Sequence, residues 1–151
     1  MHFITDTLLV GNINDISQPP PQINAVLQVA AEFTARPPSQ LLSGRVPFPE
    51  YAEAEPQLLD QAVSWVERHH PGNRVIICCR AGMSRSVSVV MAYLCCVHGM
   101  TYVEVLQLVR TQRPGAMPLP RLEAVIKQVG RLREARAKDK QGSMPYPASG
   151  S

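Results

Sequence analysis

Val75-Ile76-Ile77-Cys78-Cys79-Arg80-Ala81-Gly82-Met83-Ser84-Arg85-Ser86-Val87 is the stretch on which the fold turns. Its opening run, Val75 to Cys78, is continuously apolar and follows a Pro71-Gly72-Asn73 break. That is the pattern of a central strand covered on both faces. Gly82 marks a short loop. An apolar helix is predicted from near Ser84 to His98, stopped by Gly99. A strand that passes through such a loop into a helix turns successive backbone N–H groups inward. With the positive end of the helix dipole behind them, these groups form a cradle for an anion.

Cys79 and Arg85 stand at the two ends of that loop. A thiol among inward-facing amides and beside a guanidinium has its thiolate stabilised, so its pKa falls below the free value of about 8.5. The guanidinium can grip two oxygens of a tetrahedral dianion. Nucleophile and phosphate are then in line for phosphoryl transfer through a phosphocysteine. A cysteine and an arginine at this spacing are a weak signal alone. The apolar strand before them, Gly82, the hydroxyls of Ser84 and Ser86, and the apolar helix after them make it specific. A buried strand cysteine followed by an exposed loop arginine would require none of these.

Working outward, Leu8-Leu9-Val10 before Gly11-Asn12 reads as a short strand, and Asn24 to Ala30 as a buried one. Pro19-Pro20-Pro21 and Pro37-Pro38 mark loops. Gly44 to Phe48 reads as a short strand that Pro47 confines to an edge or a strand end. Leu58, Leu59, Ala62, Val63 and Val66 recur at helical spacing over 55–69, with Pro56 suited to the first turn and Trp65 read as core. Thr101 to Arg110 reads as a helix with Thr101 as N-cap and Glu104 at capping-box distance. After a Pro- and Gly-bearing loop over 113–120, Leu122, Val125, Ile126, Val129 and Leu132 define a last helix from Arg121 to about Arg136. The fold class is α/β, a central and mostly parallel sheet flanked by helices. One domain is expected over residues 1–137, with a polar, flexible tail over 138–151.

The 151 residues, 45% hydrophobic, suit one domain with one core. A net charge of +3, from 15 Lys and Arg against 12 Asp and Glu, does not point to a nucleic-acid partner. The four cysteines come as two adjacent pairs, Cys78-Cys79 and Cys95-Cys96. Neither pair has zinc-ribbon spacing or suggests a disulfide scaffold. Reduced thiols imply an intracellular, cytoplasmic setting, with the nucleus as a second possibility. Met1 to Asp6 lacks the basic start of a signal peptide, and no apolar run approaches the ~20 residues of a membrane span. His69-His70 and His98 read as polar helix ends rather than metal ligands. Cys95 and Cys96 read as helix packing, and the basic run 131–140 as a solvated helix end.

The loop Cys79 to Ser86 resembles the signature loop of dual-specificity phosphatases, within the cysteine-based protein tyrosine phosphatases. The resemblance extends over roughly 3–130. Ile4-Thr5 and Leu8 to Asn12 resemble that family's opening strands, and Asn24 to Glu32 its next strand and turn. Met91 to Leu94 and Val109 to Pro114 resemble its later helices. It implies a protein tyrosine phosphatase-like fold, with Cys79 as nucleophile and Arg85 as phosphate clamp. The backbone of Arg80, Ala81, Gly82, Met83, Ser84 and Arg85 would form the phosphate cradle. Ser86 would bond the sulfur and ease its departure. No metal or cofactor is implied. The substrate would be a phosphorylated protein, on phosphotyrosine and also on phosphoserine or phosphothreonine.

Three positions depart from the family pattern. Cys78 replaces a His, which weakens the depression of the thiol pKa; strand alternation turns Cys78 away from the pocket, as a packing residue. The general acid is usually an Asp about 30 residues before the nucleophile. Here Arg45 to Tyr51 aligns with that loop and puts Glu50 at the acid position, with Glu53 and Glu55 behind it. Leu119 stands where the family often carries a bracing Asn. Two other readings stay open. One is a pseudophosphatase-like module that binds phosphoproteins with little turnover. The other is different chemistry on the same loop: a phosphoinositide or RNA 5′-phosphatase, or sulfur transfer.

Overall fold

The apolar run Val75–Cys78 forms β5, the middle strand of a five-stranded sheet, in a computed structural model that describes residues 1–142. The other strands are β1 (His2–Phe3), β2 (Leu8–Gly11), β3 (Ala25–Ala30) and β4 (Leu42–Phe48). The sheet order is β1-β2-β5-β3-β4. Only β1 is antiparallel to its neighbour; β2, β5, β3 and β4 run parallel. Gly11 of β2 and Gln28 of β3 both stand level with Cys78. The carboxyl ends of all four parallel strands therefore open onto one edge, where ligands of open α/β sheets gather.

Both faces of the sheet are covered, as the unbroken hydrophobicity of β5 requires. The helices α2 (Pro56–His69), α3 (Arg85–Cys96), α4 (Tyr102–Gln112) and α5 (Leu122–Gly142) follow the order expected from periodicity. On one face Val10, Leu27, Val75 and Ile77 pack into the main core with Val63, Val66, Val90, Met91 and Val125 of the helices. On the other face Leu9, Val26, Ile76 and Cys78 pack with Ile16 and Ile23 in a smaller cluster. Ile16 belongs to α1 (Asn14–Ser17), a single turn that hydrophobic periodicity does not announce. The loop over that face is pinned by Gln28, whose amide bonds both backbone groups of Ala35 at 2.8 and 3.0 Å.

Local signals set the helix ends. Pro56 opens α2. Thr101 caps α4 in a full capping box, its hydroxyl accepting from the Glu104 N–H while the Glu104 carboxylate accepts from the Thr101 N–H. Helix α3 is buried nearly all round, from Arg85 through Leu94, as its apolar sequence demands. Helix α5 continues to Gly142, past the end expected near Arg136. Residues 138–142, expected in the tail, are helical, and the rest of that tail lies outside the described residues. The basic run also does more than face solvent. Arg136 grips Asp60 of α2 with both guanidinium nitrogens at 2.7 and 3.1 Å, and Arg133 bonds Glu67 at 2.7 Å.

Candidate active site

Cys79 follows directly on β5 and is buried, its backbone N–H donating to the Gly11 carbonyl at 3.2 Å. The chain then curls around the thiol and enters α3 at Arg85. The loop carbonyls are each held from outside. The Arg80 carbonyl accepts from the Ile13 N–H at 3.4 Å, and the Met83 carbonyl from the Met117 N–H at 2.8 Å. Arg113 donates from Nε to the Gly82 carbonyl at 3.1 Å and from Nη2 to the Ala81 carbonyl at 3.5 Å. With these carbonyls drawn outward, the N–H groups of Gly82, Ser84 and Ser86 turn in toward the thiol. Gly82 makes the curl possible: its φ is +68°, and a Cβ there would lie 2.9 Å from the Gly11 carbonyl.

The thiol responds to this setting. Burial pushes the Cys79 pKa up, but bonds from the Ser86 hydroxyl and from the N–H groups of Ser86, Ser84 and Gly82 outweigh it, and the pKa lies below its ordinary value. The Cys79 Sγ and Ser86 Oγ are 3.3 Å apart. Its neighbour behaves oppositely. Cys78 faces the smaller cluster, and burial, Asp15 and Cys79 hold its thiol far above the ordinary range. Strand alternation thus gives two adjacent cysteines opposite chemistry.

Arg85 is only 3% exposed, and its guanidinium is fixed by acceptors from the ends of β3 and β4. Nη1 donates to Glu32 Oε1 at 2.6 Å and to the Phe48 carbonyl at 2.9 Å; Nη2 donates to Glu32 Oε2 at 2.7 Å. The paired guanidinium lowers the Glu32 pKa from 4.5 to about 2. Glu50 approaches from the mouth, its Oε1 3.3 Å from Arg85 Nη2 and 3.5 Å from Arg80 Nη1.

A cavity of about 390 Å³ opens over the thiol, lined by Cys79, Arg80, Ala81, Met83, Ser84 and Arg85 on the loop side. Glu50, Tyr51, Met117, Pro118 and Pro120 line the rest. Cys79, Arg85, Glu50 and the loop residues between them therefore meet in one place, with Gly82 and Ser86 reaching Cys79 through hydrogen bonds. Glu53 and Glu55 do not line the cavity: Glu53 sits 3.8 Å from Arg121, and Glu55 immediately precedes α2. Leu119 is buried, and its N–H donates to the Ser88 hydroxyl at 2.9 Å, so the backbone makes a bracing contact without an Asn side chain.

Glu32 and Arg113 are the site residues that sequence reasoning missed. No local sequence signal marks Glu32, since its place beside Arg85 follows from the pairing of β3 with β5. Elsewhere, Trp65 is half-buried over Gly44 and packs at a tilt against the His69 ring, centroids 4.5 Å apart. His70 and His98 both bond the Tyr93 hydroxyl, at 2.7 and 3.0 Å. Among the described residues no helix is long and apolar enough to cross a membrane.

The geometry agrees with comparisons to known proteins. The family model for the dual specificity phosphatase catalytic domain matches residues 11–131. Dual specificity protein phosphatase 1 of Arabidopsis thaliana is 43% identical over 60 residues, covering 39% of this chain and 30% of that protein. Dual specificity protein phosphatase 1B of the same plant is 40% identical over 62 residues, covering 40% and 37%. The matched segment thus spans about a third of these relatives. The crystal structure of human DUSP28 superposes with a TM-score of 0.77 at 20% identity, covering 90% of this chain and 99% of that one. The fold, the loop around Cys79 and the family match converge: this chain belongs to the dual specificity phosphatase family of cysteine-based protein phosphatases.

Proposed function

We propose that the chain dephosphorylates phosphotyrosine in proteins, and phosphoserine or phosphothreonine as a second class, through a phosphocysteine intermediate. The Cys79 thiolate attacks phosphorus, forming the S–P bond as the bond to the leaving oxygen breaks. Glu50 donates the proton that oxygen needs. Glu50, now a carboxylate, takes a proton from the water that attacks the phosphocysteine. Inorganic phosphate leaves, and the Ser86 hydroxyl donates to the departing sulfur. The incoming dianion displaces Glu50 from Arg85; the freed carboxylate takes up a proton from solvent, and that carboxylic acid is the donor to the leaving oxygen.

One observation carries this reading: a thiol with a lowered pKa shares a cavity with a buried guanidinium. A polyanionic substrate would call for further cations. Of the cavity-lining residues the only basic side chain besides Arg85 is Arg80, which pairs with Glu50. Free thiols at all four cysteines support a reducing compartment, the cytoplasm or nucleus.

The test is para-nitrophenyl phosphate hydrolysis across pH by the wild type, Cys79→Ser and Glu50→Gln. Cys79→Ser is expected to abolish turnover, and Glu50→Gln to remove the alkaline limb of the profile. Absence of activity in folded, reduced wild type refutes the enzyme reading. An unaltered profile in Glu50→Gln removes that residue from the acid role.

A further inference from the structure

Two imidazoles and a phenol converge at the edge of the sheet opposite Cys79. Thr7, Asn24 and Arg74 immediately precede β2, β3 and β5, so they stand at the amino ends of these parallel strands. With His70, Tyr93 and His98 they line a cavity of about 600 Å³. The Tyr93 hydroxyl is met by His70 Nδ1 at 2.7 Å and by His98 Nε2 at 3.0 Å. The other nitrogen of His70, Nε2, lies 2.8 Å from Thr7 Oγ1. One partner would satisfy a phenol as buried as Tyr93, which is 2% exposed. The second partner, His98, is exposed, and water could serve it equally well. Helix ends account for polar residues at these positions, yet not for their meeting on one oxygen. Those ends also carry a sign. His70 is the C-cap of α2, and His98 directly follows Val97, the C-cap of α3. Two helix carboxyl ends, each a partial negative charge, thus lie beside the three donors and favour a cation there. Arg74 is engaged elsewhere: its guanidinium donates to the Asp6 carbonyl at 3.2 Å and to Gln22 Oε1 at 2.7 Å, and it lies over the Phe3 ring.

We propose that His70, Tyr93 and His98 form a site for one divalent transition-metal ion of the zinc class, remote from the catalytic loop. Two imidazoles and a phenol are nitrogen and oxygen donors that suit Zn²⁺, whereas Mg²⁺ and Ca²⁺ take oxygen ligands alone. The phenol is needed as third donor, because among the described residues no three His, Cys, Asp or Glu side chains come together to hold a metal. A tetrahedral ion ~2.0–2.1 Å from each donor keeps its donors about 3.4 Å apart. The spacings of 2.7 and 3.0 Å must therefore open by about half an ångström. That retreat is available to His98, which is exposed, and to His70, which is half-buried. On binding, the ion bonds His70 Nδ1, His98 Nε2 and the Tyr93 oxygen, and the phenol proton passes to solvent. His70 keeps its own proton on Nε2 and donates it to Thr7 Oγ1, an outer contact that orients a metal-bound imidazole. Water from the cavity completes the fourth position. The ion ties the end of α2 to the end of α3, and so stabilises the folded chain.

The experiment titrates Zn²⁺ into the protein by calorimetry and follows thermal unfolding with and without the ion. Cys79→Ser is the common background, because a reactive thiol is itself a zinc ligand. One equivalent of Zn²⁺ is expected to bind the Cys79→Ser protein with Kd below about 10 μM and to raise its Tm. Adding His98→Gln, at an exposed position, is expected to weaken binding at least about tenfold and to cancel the rise in Tm. Adding Tyr93→Phe, which keeps the buried ring and removes only the oxygen, is expected to weaken binding by at least about the same factor. Absence of saturable binding in the Cys79→Ser protein overturns the site. A smaller loss of affinity in either added variant overturns it too, since the ion would then be held by other groups.

Discussion

Replacing Glu32 by Gln keeps the shape of the side chain and removes the charge that faces Arg85. The amide cannot accept from both guanidinium nitrogens as the carboxylate does at 2.6 and 2.7 Å. The fall of the Glu32 pKa from 4.5 to about 2 would amount to about 3 kcal/mol for a pair shielded from water. The Glu32 side chain is 35% exposed, so solvent screening reduces this to about 1–2 kcal/mol. For a domain of this size that is a fall in Tm of about 2–8 °C. The sign of the pH dependence follows from a lowered folded-state pKa. The wild-type advantage is complete above the unfolded value near 4.5 and is lost as pH falls toward about 2. Urea unfolding of both proteins at pH 7, 5, 4 and 3, with thermal unfolding at pH 7, checks this. A difference as large at pH 3 as at pH 7, or a Tm change under about 1 °C at pH 7, would show that the ion pair does not stabilise the fold.

Three further substitutions probe separate parts of the argument. Ser86→Ala removes a charge-assisted bond to the Cys79 sulfur, worth about 1.5–3 kcal/mol. The pH midpoint for iodoacetamide alkylation should therefore rise and turnover at pH 6 fall about tenfold or more; an unmoved midpoint contradicts the role. Gly82→Ala places a Cβ against the Gly11 carbonyl in a left-handed position, costing about 2 kcal/mol or more. Phosphate ester hydrolysis should fall at least about a hundredfold, and near-normal activity would mean that the loop can relax. Thr101→Ala breaks the capping box at a cost of about 1 kcal/mol, seen as a Tm loss of about 2–4 °C with kcat/KM unchanged.

Features whose causes are local could be read from the sequence. The apolar run before Cys79 announced a central strand, Thr101 and Glu104 a capped helix, and Cys79, Gly82 and Arg85 the loop. Glu32 could not be read this way, because its partner depends on β3 lying beside β5, a consequence of the strand order. Arg113 presented the same difficulty, since the loop carbonyls it holds lie about thirty residues earlier. Periodicity missed the single turn Asn14–Ser17 because only Ile16 of it is buried. The length of α5 escaped for a related reason. Arg133 and Arg136 look like solvent-facing charge until Asp60 and Glu67 are placed opposite them.

The outward-held carbonyls of the loop separate what can vary from what cannot. Its inner surface is peptide amide, a chemistry that no coding change edits except through proline. The side chains of Arg80, Ala81 and Met83 belong instead to the cavity wall. Selection, natural or in the laboratory, can therefore retool the ester that enters by exchanging those three side chains together with Tyr51 and Met117. The cradle proposed to grip phosphate would pass through such exchanges intact, provided that Ile13, Arg113 and Met117 keep their backbone and guanidinium holds on the loop from behind.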